Sequence, residues 1–143
     1  MGITETFAKV GTGAHAALYK LLGGRFVGAS DDAGGLIVVT TKGRKTGKLR
    51  SRPLMHMRDG ENLLVVASAG GADEHPSWYL NMEADPHVTV HVADRTERYR
   101  ARTATGEERD KLFARFVELN NAFASYAEKT SRTLPVVILE PDP

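Results

Sequence analysis

The chain has 143 residues, 41% of them hydrophobic and 26% charged, which is the size of one ordinary domain and the mix of a soluble globular protein, so disorder and collagen-like repeats are excluded. Nineteen Lys and Arg against 18 Asp and Glu leave a net charge of +1, too little for a nucleic-acid coat. With no cysteine, disulfides, thiolate nucleophiles, iron–sulfur clusters and cysteine-based zinc sites fall away together, and a reducing compartment fits.

Glu5 interrupts any apolar leader, and no run reaches the roughly 18 apolar residues of a membrane span, so the expectation is a cytoplasmic protein whose residues 1–143 form a single domain. Residues 4–22 put Phe7, Val10, Ala14, Leu18 and Leu21 on one face of a helix, weakened by Gly11 and Gly13. That helix, within residues 1–24, can pack on the rest of the protein or, with Lys9, Lys20 and Arg25 nearby, rest on a membrane. The glycine-rich stretch 23–35 reads as a loop.

Residues 36–41 form a β-branched run, 50–57 an extended stretch, Asp59-Gly60 a hairpin turn and 62–68 the return strand. A loop over 69–74 leads to Pro76 and a short helix over 77–83, stopped by Asp85-Pro86. Val88, Val90 and Val92 alternate with polar residues and pair, across Ala93-Asp94, with a strand over 95–103. Thr105-Gly106-Glu107-Glu108 fits a capping box, followed by a helix whose core face is Leu112, Phe113, Phe116, Val117 and Leu119. A short helix over 122–129 and a strand over 135–139 complete the chain. Hairpins dominate, which predicts a mainly antiparallel sheet or small barrel with helices outside, an α+β arrangement rather than a doubly wound one.

The sharpest local feature is residues 41–52, which hold six basic side chains (Lys42, Arg44, Lys45, Lys48, Arg50 and Arg52) and no acid, so the remainder of the chain carries −5. A turn with Gly43 and Gly47 beside forked cationic donors suits a phosphate or several carboxylates; the alternative is a solvated basic turn. It is not a Walker loop, because Leu49 follows Gly47-Lys48 where Ser or Thr is needed. The run Ala67-Ser68-Ala69-Gly70-Gly71, with Trp78 soon after, lets a planar ring approach the backbone, unless Trp78 is simply a core anchor. Ser68 is not framed as a nucleophile elbow.

Gly11-Thr12-Gly13-Ala14-His15-Ala16 matches a permissive dinucleotide fingerprint but follows a helical pattern instead of a strand. His87 and His91 would stand about 13 Å apart along a strand, and His15, His56 and His75 lie in separate elements, so satisfied or surface histidines are expected in place of a metal site. Tyr126 and Phe123 can either serve a proton or substrate or merely pack.

Thr40-Thr41-Lys42-Gly43-Arg44-Lys45-Thr46-Gly47 through Pro53-Leu54, then Asp59-Gly60, Ala67-Ser68-Ala69-Gly70-Gly71, Pro76-Ser77-Trp78-Tyr79-Leu80-Asn81 and Arg132-Thr133-Leu134-Pro135, together resemble the deazaflavin-dependent nitroreductase family over about residues 36–141. The resemblance implies a split β-barrel of the flavin-reductase type and the cofactor coenzyme F420, a hydride-carrying deazaflavin with a phosphate and an oligoglutamate tail. It also implies that Arg44, Lys45 and Arg50 hold the anionic end, with Lys42 and Lys48 on the rim. By the same resemblance Ser68, Ala69 and Gly70 line the ring through backbone groups and Trp78 packs near it, while Thr46, Pro53, Val66, Ala67, Gly71, Ser77 and Asn81 complete the cofactor site. Met55, Ser68, Phe123 and Tyr126 would face the substrate, with Tyr126 as proton donor or anchor. Ala69 stands where a Lys is common, and Met55 and Phe123 stand where nitroimidazole-reducing members carry Tyr. Fewer hydroxyls make a more apolar pocket, so the implied activity is hydride transfer to a quinone, enone or nitroaromatic, with quinones and enones favoured. An FMN-dependent relative of the same barrel, and a non-catalytic ligand carrier, are the alternatives; a homodimer is also expected from related barrels.

Overall fold

The computed structural model describes residues 33–92 and 94–143. The predicted helix over 4–22, its membrane contact and the fingerprint at Gly11 lie outside them. Six strands follow in chain order: β1 (Ala33–Lys42), β2 (Leu49–Asp59), β3 (Asn62–Val66), β4 (His87–Val92), β5 (Arg95–Thr103) and β6 (Val136–Pro141). They close a barrel in the order β1-β2-β3-β6-β5-β4, with β4 returning to β1 and all six pairings antiparallel. This is the expected split β-barrel. Among the described residues three α-helices pack around it: α1 (Ser77–Ala84) between β3 and β4, and α2 (Gly106–Leu119) and α3 (Ala122–Glu128) between β5 and β6. None of the described helices is long and apolar enough to cross a membrane.

Alternation fills the barrel. Val88, Val90 and Val92 of β4 meet Ile37 and Val39 of β1, Leu63 and Val65 of β3, and Val137 and Leu139 of β6 in one interior cluster, with Trp78, Tyr79 and Met82 of α1 packed against it. Strands β3 and β6 are apolar on both faces, because Leu64, Val66, Val136 and Ile138 build a second cluster under Leu112 and Phe116 of α2 and Phe123 of α3. Tyr79 belongs to the interior: burial pushes its phenol pKa up, and its hydroxyl shares a 2.9 Å hydrogen bond with Thr103 Oγ1.

Several boundaries differ from expectation. Strand β1 begins at Ala33, inside the predicted loop, and its pairing with β2 is irregular between Ala33 and Leu36, where Gly34-Gly35 admits a bulge. The Gly35 carbonyl there is bonded to Nδ1 of fully buried His56 at 2.8 Å. Thr105 is the N-cap of α2, as the capping box predicts, but its side chain makes no capping bond. Glu108 is instead drawn to the Arg102 guanidinium by two bonds of 3.0 and 3.3 Å, which hold its carboxyl below the usual range. Leu119, assigned to the core face, is 38% exposed at the last residue of α2.

Candidate active site

The basic turn between β1 and β2 is held tightly. Gly43 N–H donates to Lys48 O at 2.7 Å, Gly47 N–H to Gly43 O at 2.8 Å, and Lys48 N–H to Thr46 Oγ1 at 3.2 Å. Gly47 closes the turn at φ +74°, a conformation that L side chains resist.

Asn81 of α1 clips this turn to the helix. Its Oδ1 accepts from Arg44 N–H at 3.1 Å and from Arg44 Nη1 at 2.9 Å, while its Nδ2 donates to Thr41 Oγ1 at 3.1 Å. Asn81 and Thr41 are both buried, so the bond between them is sheltered from water, while the two from exposed Arg44 are half-buried. Arg44 Nη1 also lies 3.4 Å from Ser77 O at the start of α1, and the guanidinium is thereby aimed by the helix.

A cavity of about 510 Å³ opens here, lined by Arg44, Lys45, Thr46, Arg50, Ser77, Trp78 and Asn81 of the predicted set, together with Gly43, Leu49, Ser51 and Arg52. Four cations face it and no carboxylate does. Among the described residues, Lys45, Arg50 and Arg52 have no acidic partner. Such a donor set fits a phosphate with a polyanionic tail. Lys42 and Lys48, the expected rim residues, are exposed and outside the lining. Trp78 is the core anchor of one reading, buried in the barrel cluster, and it also lines this basic cavity, away from the turn at residues 69–71.

Further along β2 a second cavity, of about 220 Å³, is lined by Pro53, Leu54, Met55, Val66, Ser68, Gly70, Asn120, Phe123 and Tyr126. It contains no charged side chain; its polar groups are the hydroxyls of Ser68 and Tyr126 and the Asn120 amide. The Phe123 ring stacks edge-on between Phe116 and Tyr126, at 5.3 and 5.8 Å. Leu49–Met55 thus carries the wall of one cavity into the wall of the other, a charged end followed by a neutral one.

The wall nearest Ser68 is a tight 3₁₀ turn with three left-handed residues in succession: Ala69 at φ +47°, Gly70 at +64° and Gly71 at +87°. Gly71 is irreplaceable on packing grounds as well, because a Cβ there would stand 2.7 Å from the Tyr126 carbonyl oxygen and 3.0 Å from Lys129 Cβ. Gly71 N–H closes the turn on Ser68 O at 2.8 Å, and among the described residues nothing accepts from the N–H groups of Ala69 or Gly70. Consecutive exposed N–H groups of this kind suit ring carbonyls.

The structure does not bring every predicted residue to a cavity. Ala67 is fully buried, its N–H paired with Pro135 O at 2.9 Å, and Ala69 and Gly71 shape the turn without lining either space. Sequence reading passed over Asn120, which ends α2, and Leu54, which lines the cavity between Pro53 and Met55 although strand alternation packs it against the interior cluster. It counted Arg52 as a charge but not as a site residue, although its spacing of two from Arg50 on an extended strand was a usable signal.

A family model described as F420H(2)-dependent quinone reductase matches residues 12–141. An F420H(2)-dependent quinone reductase of Mycobacterium tuberculosis is 34% identical over 130 residues, 87% of this chain and 86% of that protein. Among solved structures, an F420-H2 dependent reductase superposes with a TM-score of 0.68 at 40% identity, covering 73% of this chain and 93% of the other. Another, described as a domain-swapped dimer, does so at 0.69 and 40% identity over 76% of this chain and 81% of its own. A barrel of this topology, a carboxylate-free cationic cavity and matches of this extent agree: the chain belongs to the F420H(2)-dependent quinone reductase family of oxidoreductases, whose cofactor is coenzyme F420.

Proposed function

We propose that this protein reduces a quinone with F420H2, seating the cofactor's anionic end in the basic cavity and the reacting rings in the neutral one. The carrying observation is the change of character along β2, from four cations without a carboxylate to a pocket of apolar side chains and neutral donors. Bound coenzyme F420 supplies a two-electron hydride donor, so the hard chemistry is the cofactor's. Arg44, fixed by Asn81, and Lys45, Arg50 and Arg52 neutralise phosphate and carboxylates. The left-handed turn at 69–71 offers backbone N–H groups to the ring, and Met55, Val66 and Phe123 exclude water from the space beside it. Hydride arrival leaves negative charge on a quinone oxygen, which needs a proton and a donor. Tyr126 lines the pocket with a hydroxyl that makes no hydrogen bond among the described residues, and we assign it that role.

The family name and the scarcity of hydroxyls favour a quinone over a nitroaromatic as acceptor. A charge excess beyond the needs of one phosphate favours F420 over FMN. We also propose a homodimer, in keeping with the solved relative described as a domain-swapped dimer; light scattering at micromolar concentration is expected to give twice the monomer mass.

The test is fluorescence titration of oxidised F420 against FMN at low and high salt, followed by F420H2 oxidation with a soluble quinone. Tight, salt-sensitive binding of F420 with quinone-dependent turnover is expected. Preference for FMN, or binding without turnover, refutes the reading. In Tyr126→Phe, kcat falls about tenfold with F420 affinity unchanged; unaltered kcat and quinone KM remove Tyr126 from the mechanism.

A further inference from the structure

Arg132 stands in the segment between α3 and β6, in neither cavity, yet its guanidinium is spent almost wholly on the turn that walls the neutral one. Nε donates to Ala72 O at 2.8 Å, Nη2 to Ser68 O at 2.9 Å, and Nη1 to Ala67 O at 3.2 Å and to His75 Nδ1 at 3.0 Å. Because arginine only donates, His75 Nδ1 must accept, which places that imidazole's proton on Nε2. No carboxylate pairs with Arg132 among the described residues, so its charge is met by three backbone carbonyls and one neutral ring.

The three carbonyls bracket the left-handed residues. Ala67 and Ser68 precede Ala69–Gly71, and Ala72 follows it. A non-glycine residue at φ +47° costs free energy that its surroundings must over-determine, and the four-point fork does so from behind the turn.

We propose that Arg132 is a positioning residue for hydride transfer: it fixes the 67–72 turn, so that the backbone at Ser68 and Gly70, which line the neutral cavity, is held rigid against the cofactor ring. This rests on the proposed seating of the ring there, and the test separates the two. In the free protein, hydrogen exchange at the Gly71 and Ala72 amides, both bonded within the turn, is expected to quicken at least tenfold in Arg132→Met while barrel amides stay protected. With cofactor, the same variant is expected to bind oxidised F420 about tenfold more weakly and to lose about tenfold in kcat at saturating cofactor. Arg132→Lys, which keeps the charge but cannot reach four acceptors, recovers part of each. Unchanged exchange at the turn in folded Arg132→Met, or F420 affinity and kcat within twofold of wild type, overturns the proposal. Arg132→Lys indistinguishable from wild type overturns it as well, including where Arg132→Met does not fold. If wild type itself binds no F420, the functional reading fails while the exchange result still stands or falls alone.

Discussion

The two cavities along β2 are made of different materials. The basic one is built from side chains: four cations aimed into about 510 Å³, one of them held by the buried amide of Asn81. The neutral one, of about 220 Å³, adds to its apolar side chains a wall of backbone: a left-handed turn held from behind by Arg132 and packed against the Tyr126 carbonyl. A polyanionic tail is flexible and tolerates several arrangements of charge, so redundancy suits it. On the proposed seating, hydride transfer requires reacting atoms within about 3–3.5 Å, which calls for a rigid backbone wall in place of mobile cations.

If this contrast is right, the neutral end is the brittle one. Gly71→Ala forces both a disfavoured φ and contact with a backbone oxygen, and is expected to cost about 2–4 kcal/mol, seen as a fall in thermal midpoint on the order of 10 °C together with loss of turnover. Stability within 0.5 kcal/mol of wild type would show a wall that yields, and would break the contrast. Removing charge from the basic end is milder. The double variant Lys45→Gln/Arg50→Gln is expected to keep its stability and bind F420 about 30-fold more weakly at low salt, the gap narrowing as salt screens the remaining charges; a gap independent of salt contradicts an electrostatic site. The smallest effect sharpens the comparison by its sign. Ala69→Gly relieves a positive φ and is expected to raise stability by roughly 0.3–1 kcal/mol in denaturant unfolding. A loss there would mean that the Ala69 methyl packs usefully.

This division also explains what could be read from the chain alone. The basic end was legible because charge is a composition: six cations in residues 41–52 announce themselves before any fold is known. The barrel was legible through Val88, Val90 and Val92 and through Asp59-Gly60, where period and turn chemistry are local. The neutral end was not, because it depends on contacts across more than fifty residues: Gly71 against Tyr126, and Ser68 on Arg132. Alanine at φ +47° carries no sequence signature, and Asn120 reaches its cavity only because α2 stops there. Leu119 fits the helical period yet faces solvent, since periodicity tells which face a residue shares and not how far along the helix that face is covered.

The Asn81 clip has a thermodynamic side. It joins the basic turn between β1 and β2 to α1, and α1 buries Trp78, Tyr79 and Met82 in the barrel's interior cluster. Whatever holds the turn therefore also holds the helix that packs against the core, and a ligand that binds only the folded chain stabilises it by about 2.7 kcal/mol at a hundredfold excess over its Kd. Bound coenzyme F420 would thus act as a folding ligand as well as a hydride carrier, and the thermal midpoint is expected to rise with cofactor concentration.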